Sequence, residues 1–260
     1  IVIGNPIKHS LSPILHNYWI KKNGINAIYD KQKLNEDELK QSILKIKEKK
    51  INGINVTVPF KKAIIPFLDE LSIEAESTQS VNTIYLRNNK VIGHNTDIFG
   101  FEISIKKSKY NLIDKEVLIL GAGGVVPSII FALNKMKISK IKISNRTKDK
   151  AERLKTIFKN IEIIEWGEVP NFDIIINATS VGLKKEDEIN LDFSSTSKNK
   201  FFYDVIYNPS ETNFLKIGKS LGNLTLNGKL MFIYQALSAF NIWHGLEPDV
   251  DENLIKLLDQ

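Results

Sequence analysis

The sequence predicts an α/β protein built as two domains. Strand and helix patterns alternate along most of the 260 residues, a length that suits one large or two modest hydrophobic cores. A glycine-rich turn, "GAGG" at 121–124, sits between an apolar strand and an apolar helix. From Val117 onward strand and helix repeat, which implies a parallel doubly wound sheet. Residues 1–98 carry their own alternation and read as a separate α/β unit.

The elements follow in order. Residues 1–4 open as a strand, so further residues are expected to precede Ile1. In "LSPILHNYWIKKNG" Ser12 is the expected N-cap, Pro13 fits the first helical position and Gly24 lies past the end. "AIYDKQKL" (27–34) reads as a strand. "NEDELKQSILKIKEKK" (35–50) reads as an amphipathic helix capped by Asn35, with acids in its first turn. In "GINVTVPFKKA" (53–63) apolar Ile54, Val56 and Val58 alternate with Asn55 and Thr57, a strand ended by Pro59, which cannot donate to a ladder. "KKAIIPFLDEL" (61–71) is expected to be helical, and "SVNTIYLRNNKVIGHNTD" (80–97) to be a hairpin turning at Asn88-Asn89. A helix near 98–109 leads into the Val117 strand, the glycine turn and an apolar helix. "KIKISNRTKDKAERLKTIF" (140–158) repeats strand then helix. "FDIIINATSVG" (172–182) and "KFFYDVIYNPS" (200–210) are strands ending in polar turns, with "SSTSKNK" (194–200) a surface loop. "GKLMFIYQALSAFNIWHG" (228–245) and "DENLIKLLDQ" (251–260) close the chain as helices.

Composition excludes several functions. The chain has 42% hydrophobic and 25% charged residues and no cysteine, so disulfides, thiolate zinc sites and a cysteine nucleophile are ruled out. His9, His16, His94 and His244 follow no metal-ligand spacing, and no metal is expected. No apolar run reaches the length of a membrane span, and no secretion signal is visible; the cytoplasm is the expected compartment. The net charge of +6 suits an anionic ligand. Most lysines nevertheless alternate with acids on helical faces, without the aromatic-interleaved stripe of a nucleic-acid site. The expected partner is a small molecule, with no nucleic acid or membrane, for a monomer or homodimer.

Two stretches carry chemistry. In "GAGG", Gly121 permits the tight turn and Gly123 lets backbone approach a pyrophosphate, which then rests on the helix N-terminus. The third fingerprint position holds Val126 in place of glycine or alanine, and Pro127 is tolerable because the first turn lacks internal hydrogen bonds. At the tip of the next strand, an NAD site carries an acid that accepts both ribose hydroxyls. Here stand Asn145, Arg146 and Thr147, with Lys150 a turn on. An arginine forks onto a 2′-phosphate that a carboxylate would repel, so NADP is favoured. The second stretch is the end of the strand at 54–58, where Lys61 serves either solubility or a ligand in the crevice at which open α/β sheets bind. Lys62 reads as surface.

Taken together the motifs resemble the shikimate dehydrogenases over nearly the whole chain. The resemblance rests on "GNPIKHSLSP" (4–13), "NVTVPFK" (55–61), "VNT" (81–83), "NTD" (95–97), "GAGG", "NRT" (145–147), "NATSVG" (177–182), "YNPSET" (207–212), and "NG" (227–228) with "YQA" (234–236). It implies a substrate-binding domain, 1–98 with 230–260, and a Rossmann-like NADP-binding domain, 99–229, with a cleft between them. It also implies NADPH-dependent reduction of 3-dehydroshikimate to shikimate. On this resemblance Lys61 and Asp97 are the catalytic pair. Ser10 and Ser12 hold the substrate carboxylate with Tyr207, and Thr57, Asn82 and Gln235 bind the ring hydroxyls. Ala122, Val125 and Thr179 join the glycines at the cofactor, and Val205, Gly228 and Met231 line its nicotinamide end. Two rival readings share the motifs: an enzyme acting on quinate as well, with NAD, and a non-catalytic sensor of shikimate-type ligands.

Overall fold

Two six-stranded sheets organise the chain. The structure, a computed structural model, describes residues 1–184 and 186–259. The chain divides into two units, Ile1–Gly100 with Ile233–Gln260, and Phe101–Phe232.

The first unit begins with β1 (Val2–Gly4), α1 (Ser12–Lys22), β2 (Lys31–Lys33), α2 (Leu39–Lys47) and β3 (Gly53–Val56). It continues with β4 (Glu70–Leu71), α3 (Ile73–Thr78), β5 (Thr83–Arg87), β6 (Lys90–His94) and the first turn of α4 (Asp97–Ser108). The sheet order is β2-β1-β3-β5-β6-β4, parallel through β2, β1 and β3 and antiparallel from β3 to β5 to β6. Asn88 and Asn89, at φ 51° and 59°, make the hairpin turn at the expected place, since successive left-handed residues match the twist of paired strands. Ile3, Ile43, Ile54, Val56, Phe60 and Ile84 are among the side chains that fill the core of this unit.

Several local expectations are corrected. The N-cap of α1 is Leu11, not Ser12, and the Ser10 Oγ accepts the Ser12 N–H at 3.3 Å. The strand expected over 27–34 shrinks to β2. The helix expected from Asn35 starts as a 3₁₀ turn, Glu36–Glu38, whose last carboxylate accepts the Asn35 N–H at 2.7 Å. Val58 lies beyond β3 and is exposed. Residues 61–71 hold one 3₁₀ turn, Ile65–Phe67, and then β4. Pro66 lacks an N–H there, and the Asp69 N–H donates to the Val91 carbonyl while its carboxylate accepts the Val91 N–H. Sheet pairing wins over the helical pattern.

The second unit holds the rest of α4, then β7 (Glu116–Leu120), α5 (Val126–Lys135), β8 (Lys140–Ser144), α6 (Lys148–Ile157), β9 (Ile161–Ile164), β10 (Ile174–Asn177), β11 (Phe201–Asp204), α7 (Asn213–Ser220) and β12 (Leu224–Leu226). Its order, β12-β11-β10-β7-β8-β9, is parallel throughout. That is the doubly wound dinucleotide-binding order, whose strand direction of travel reverses between β7 and β10. β9, α7 and β12 add to the elements expected from the sequence pattern. The chain returns to the first unit within α8 (Lys229–His244) and ends with α9 (Glu252–Leu258).

Gly53 shows why α8 lies where it does. A Cβ there would stand 2.3 Å from Trp243 Nε1, and that indole donates to the Ile84 carbonyl at 3.1 Å. The absent side chain thus lets α8 bring Trp243 against the sheet. Asp251 fastens α9 to α1: it caps Leu254 N–H at 2.8 Å, accepts from the Tyr18 hydroxyl at 2.7 Å and pairs with Lys22 at 2.8 Å.

In the second unit a buried carboxylate ties the strand ends. Asp204 accepts from the Asn177 amide at 3.1 Å, the Ile206 N–H at 2.9 Å and the Thr212 hydroxyl at 2.6 Å. Burial still outweighs these donors and pushes its carboxyl from 3.8 up to about 6. A carboxyl raised by folding loses stability as pH rises. Its contribution is full below the unfolded value of 3.8 and is lost as pH climbs through about 6. The loss is on the order of 3 kcal/mol. Unfolding measured from pH 4 to pH 6.5 is expected to show this decline, and Asp204→Asn to flatten it.

Candidate active site

Lys61 follows the turn after β3. Phe60 N–H closes that turn on the Thr57 carbonyl at 2.9 Å, and the Lys61 carbonyl accepts the Val81 N–H at 2.8 Å. The lysine is thereby pinned beside Asn82. Asp97 opens α4, where free helical N–H groups favour a negative charge, and its own N–H donates to Asn95 Oδ1 at 3.1 Å. Lys61 Nζ meets Asp97 Oδ2 at 2.5 Å, with side chains 12% and 8% exposed. The other carboxylate oxygen accepts from Asn82 Nδ2 at 2.9 Å, and the same amide reaches Gln235 Oε1 at 3.3 Å. Four expected site residues, Lys61, Asp97, Asn82 and Gln235, are therefore in one connected group. An ammonium with one face held by a carboxylate keeps N–H donors for an incoming oxygen, the arrangement general acid catalysis requires.

The remaining expected residues of this unit lie at the ends of the same sheet. Thr57 is half-buried beyond β3, and Gly4 makes room for it, since a Cβ there would lie 2.5 Å from Thr57 Cγ2. Ser10 and Ser12 stand together at the start of α1. Leu11, the N-cap, brings no side-chain hydrogen bond to the start of the helix. Lys62 is exposed, as expected. The histidines take no part in this group. His16 is buried and stacked on Tyr29 at 4.1 Å, and burial holds it well below its usual value. Burial likewise lowers His94, against the opposing pull of Glu74, and lowers His244. Among the described residues no cluster of three or more His, Asp or Glu could hold a metal.

In the second unit the glycine turn lies at the switch point. Gly121 has φ +109°, and a Cβ on it would stand 2.8 Å from the Ala178 carbonyl, so only glycine fits between β7 and the end of β10. Ala122 is half-buried, Gly123 and Gly124 are exposed, and Val125 is the N-cap of α5. Val126 is fully buried against the sheet, and Pro127 sits in the first turn, where its missing N–H costs nothing. Thr179 is held in place by Asn177, whose Oδ1 accepts its N–H at 3.1 Å and its hydroxyl at 2.7 Å.

Past β8, the Asn145 amide folds onto the Thr147 carbonyl at 2.7 Å, and the Thr147 hydroxyl makes no capping bond. Lys148 pairs with Glu165. Arg146 and Lys150 are exposed and, among the described residues, have no carboxylate partner. Two cations and a hydroxyl are thus available to an anion at this strand tip. The residues fit NADP: a cradle of backbone at Gly121, and positive charge where a 2′-phosphate would lie.

Val205 and Gly228 touch, since a Cβ on Gly228 would fall 2.1 Å from the Val205 carbonyl. Met231 is buried in the first turn of α8. Tyr207 stacks on Phe232 at 4.4 Å, and burial pushes its hydroxyl up to about 12, so it stays a donor. Sequence reasoning missed Asn177, Asp204 and Thr212, which brace the loops carrying Thr179, Val205 and Tyr207. Asn177 and Thr212 stood inside the motifs "NATSVG" and "YNPSET". A lone polar residue at the end of a buried strand was the available signal.

Known proteins resemble the chain along nearly its whole length. The family model described as the shikimate dehydrogenase substrate binding domain matches residues 2–84, and that described as shikimate / quinate 5-dehydrogenase matches residues 103–208. A shikimate dehydrogenase (NADP(+)) of Pelagibacter ubique is 64% identical over 259 residues, covering 100% of this chain and 98% of that protein. The crystal structure of shikimate dehydrogenase from Aquifex aeolicus superposes with a TM-score of 0.92 at 39% identity, over 100% of this chain and 96% of that one. A shikimate dehydrogenase solved in complex with NADP+ gives 0.93 at 36% identity, over 99% and 93%. The chain belongs to the shikimate dehydrogenase family.

Proposed function

We infer that the chain catalyses the reversible NADPH-dependent reduction of 3-dehydroshikimate to shikimate, and that Lys61 with Asp97 carries the proton transfer. The observation behind the second part is the sheltered Lys61–Asp97 contact of 2.5 Å. NADPH, when bound, supplies the hydride. Lys61 then faces the ketone oxygen, stabilises the charge that develops on it and gives it a proton. Asp97 keeps the ammonium oriented. Asn82, Gln235 and Thr57 orient the ring hydroxyls, and Ser10, Ser12 and Tyr207 hold the carboxylate. An intact acid–base pair disfavours the ligand-sensor reading.

Lys61→Ala is expected to lower kcat by about a hundredfold or more, with KM affected less. Asp97→Asn should be comparably severe. Because the two act as one unit, the double variant should lose much less than the product of the single losses. Near-normal turnover in Lys61→Ala would sink the assignment, and multiplicative losses would uncouple the pair.

Ser10→Ala and Ser12→Ala should each raise KM for 3-dehydroshikimate by roughly tenfold to a hundredfold, the worth of a hydrogen bond to a charged group. Ser12 is not the N-cap of α1, which is Leu11, so its loss should leave the melting temperature unchanged. A lower melting temperature with normal KM would contradict the ligand role.

Arg146→Ala should weaken NADPH by roughly tenfold to a hundredfold and NADH little. Added salt should erode the preference, because exposed charges are screened. Equal kcat/KM for both cofactors in the unmodified enzyme would overturn the role given to Arg146 and favour the quinate-type reading.

A further inference from the structure

Behind the Lys61–Asp97 pair lies a row of buried polar side chains, of which only Asn82 has a place at the substrate. Tyr29, Asn55, Thr83, Asn82 and Thr96 are each no more than 6% exposed. Backbone groups fix the direction of the two amides. The Thr96 N–H lies 2.8 Å from one end of the Asn82 amide, which must therefore be its oxygen. The Asn82 carbonyl lies 3.0 Å from one end of the Asn55 amide, which must therefore be its nitrogen. With both amides fixed, the remaining bonds run one way. The Tyr29 hydroxyl donates to Asn55 Oδ1 at 2.5 Å, and Asn55 Nδ2 donates to Thr83 Oγ1 at 3.1 Å. The Thr83 hydroxyl, having accepted that bond, has one proton to give and lies 3.1 Å from Asn82 Oδ1 and 3.2 Å from Thr96 Oγ1. Thr96 Oγ1 itself stands 3.2 Å from Asn82 Oδ1, so a donor reaches Asn82 Oδ1 directly or through Thr96. Asn82 Nδ2 then donates to Asp97 Oδ1 at 2.9 Å. Burial keeps the Tyr29 phenol protonated, well above its usual value, and so a donor.

We propose that Thr83 and Tyr29, which touch neither Lys61 nor Asp97, are positioning residues for the reaction, acting through a one-way chain of buried hydrogen bonds that ends on the Asp97 carboxylate. Each donor polarises the next, and each acceptor that is satisfied cannot rotate to seek another partner. Thr83 is the critical member because its hydroxyl both accepts from Asn55 and carries the chain on to Asn82 Oδ1, directly or through Thr96. A methyl in its place would leave Asn55 short of an acceptor and press an apolar group against Asn82 Oδ1. The Asn82 amide would then tilt away from Asp97, and the carboxylate would lose the partner that balances Lys61.

The inference rests on Lys61 and Asp97 being the reacting pair, so Asp97→Asn is assayed alongside. Thr83→Val is expected to lower kcat about tenfold or more while KM for NADPH stays within about twofold, because misplacing a catalytic group from a distance costs rate before it costs cofactor binding. Thr83→Ser, which keeps the hydroxyl, should restore most of the rate. Tyr29→Phe keeps the ring on His16 and should give a smaller loss of kcat in the same sense. A lower melting temperature with normal kcat in Thr83→Val would overturn the proposal, as would a loss that Thr83→Ser does not repair. If Thr83→Val does not fold, unchanged kcat in Tyr29→Phe overturns it and a lowered kcat supports it. Normal turnover in Asp97→Asn would overturn the pair and the proposal together, whereas an inactive Asp97→Asn beside a fully active Thr83→Val would overturn the proposal alone.

Discussion

Asp97 and Lys61 carry opposite charges in a place that water scarcely reaches, at 8% and 12% exposure. Removing two ions from water costs several kcal/mol each, and their attraction repays it only when geometry is good and the remaining lone pairs are satisfied. Much of the first unit answers that requirement. The helix start of α4 supplies Asp97 with a favourable field, Asn95 holds its backbone, and Asn82 occupies the oxygen that Lys61 leaves free. Breaking one partner would strand the other as a buried, unpaired charge. The hairpin β5–β6 matters chiefly because it delivers Asn82 at one end and Asn95, Thr96 and Asp97 at the other.

The second unit meets a different constraint, the close approach of backbone to backbone. Gly121 against Ala178 and Gly228 against Val205 leave no volume for a side chain. These contacts bring the ends of β7, β10 and β11 together at the point where the order of strands reverses. Asp204 then sacrifices some stability to fix the loops beyond those ends. The same carboxylate that burial penalises accepts three donors from three separate segments, an arrangement in which position is gained at a thermodynamic cost.

Much of the fold and site was legible in residue patterns. The Asn88-Asn89 turn, the apolar β7 and the glycine turn before α5 are decided by local sterics and periodicity, which a sequence displays directly. Lys61 drew notice because a cation ending an apolar strand needs a reason. What escaped was decided by partners distant in sequence. Residues 61–71 have a helical pattern, but only a 3₁₀ turn forms and Glu70–Leu71 pair with β6 as an edge strand, and Ser12 is not the cap because Leu11 already begins the turn. The roles of Asp204 and Thr83 depend on side chains contributed by other strands, which residue type and position alone do not display.

The first unit is discontinuous, and that has a consequence for the order in which the protein is made. Phe240 and Trp243 of α8 pack within 5.5 Å of Trp19 and His16 of α1, and α9 is fastened to α1 through Asp251. A chain emerging from its N-terminus holds residues 1–100 ready long before 233–260 exist. The second unit has its whole sequence in hand earlier and is able to fold as a block. Until the last helices arrive, α1 and β3 keep an apolar face uncovered, and Gln235 is absent from the group around Asp97. The nascent polypeptide therefore carries an uncovered apolar face in its first unit while its second unit is already finished, and the group around Asp97 is completed only by residues that follow that second unit.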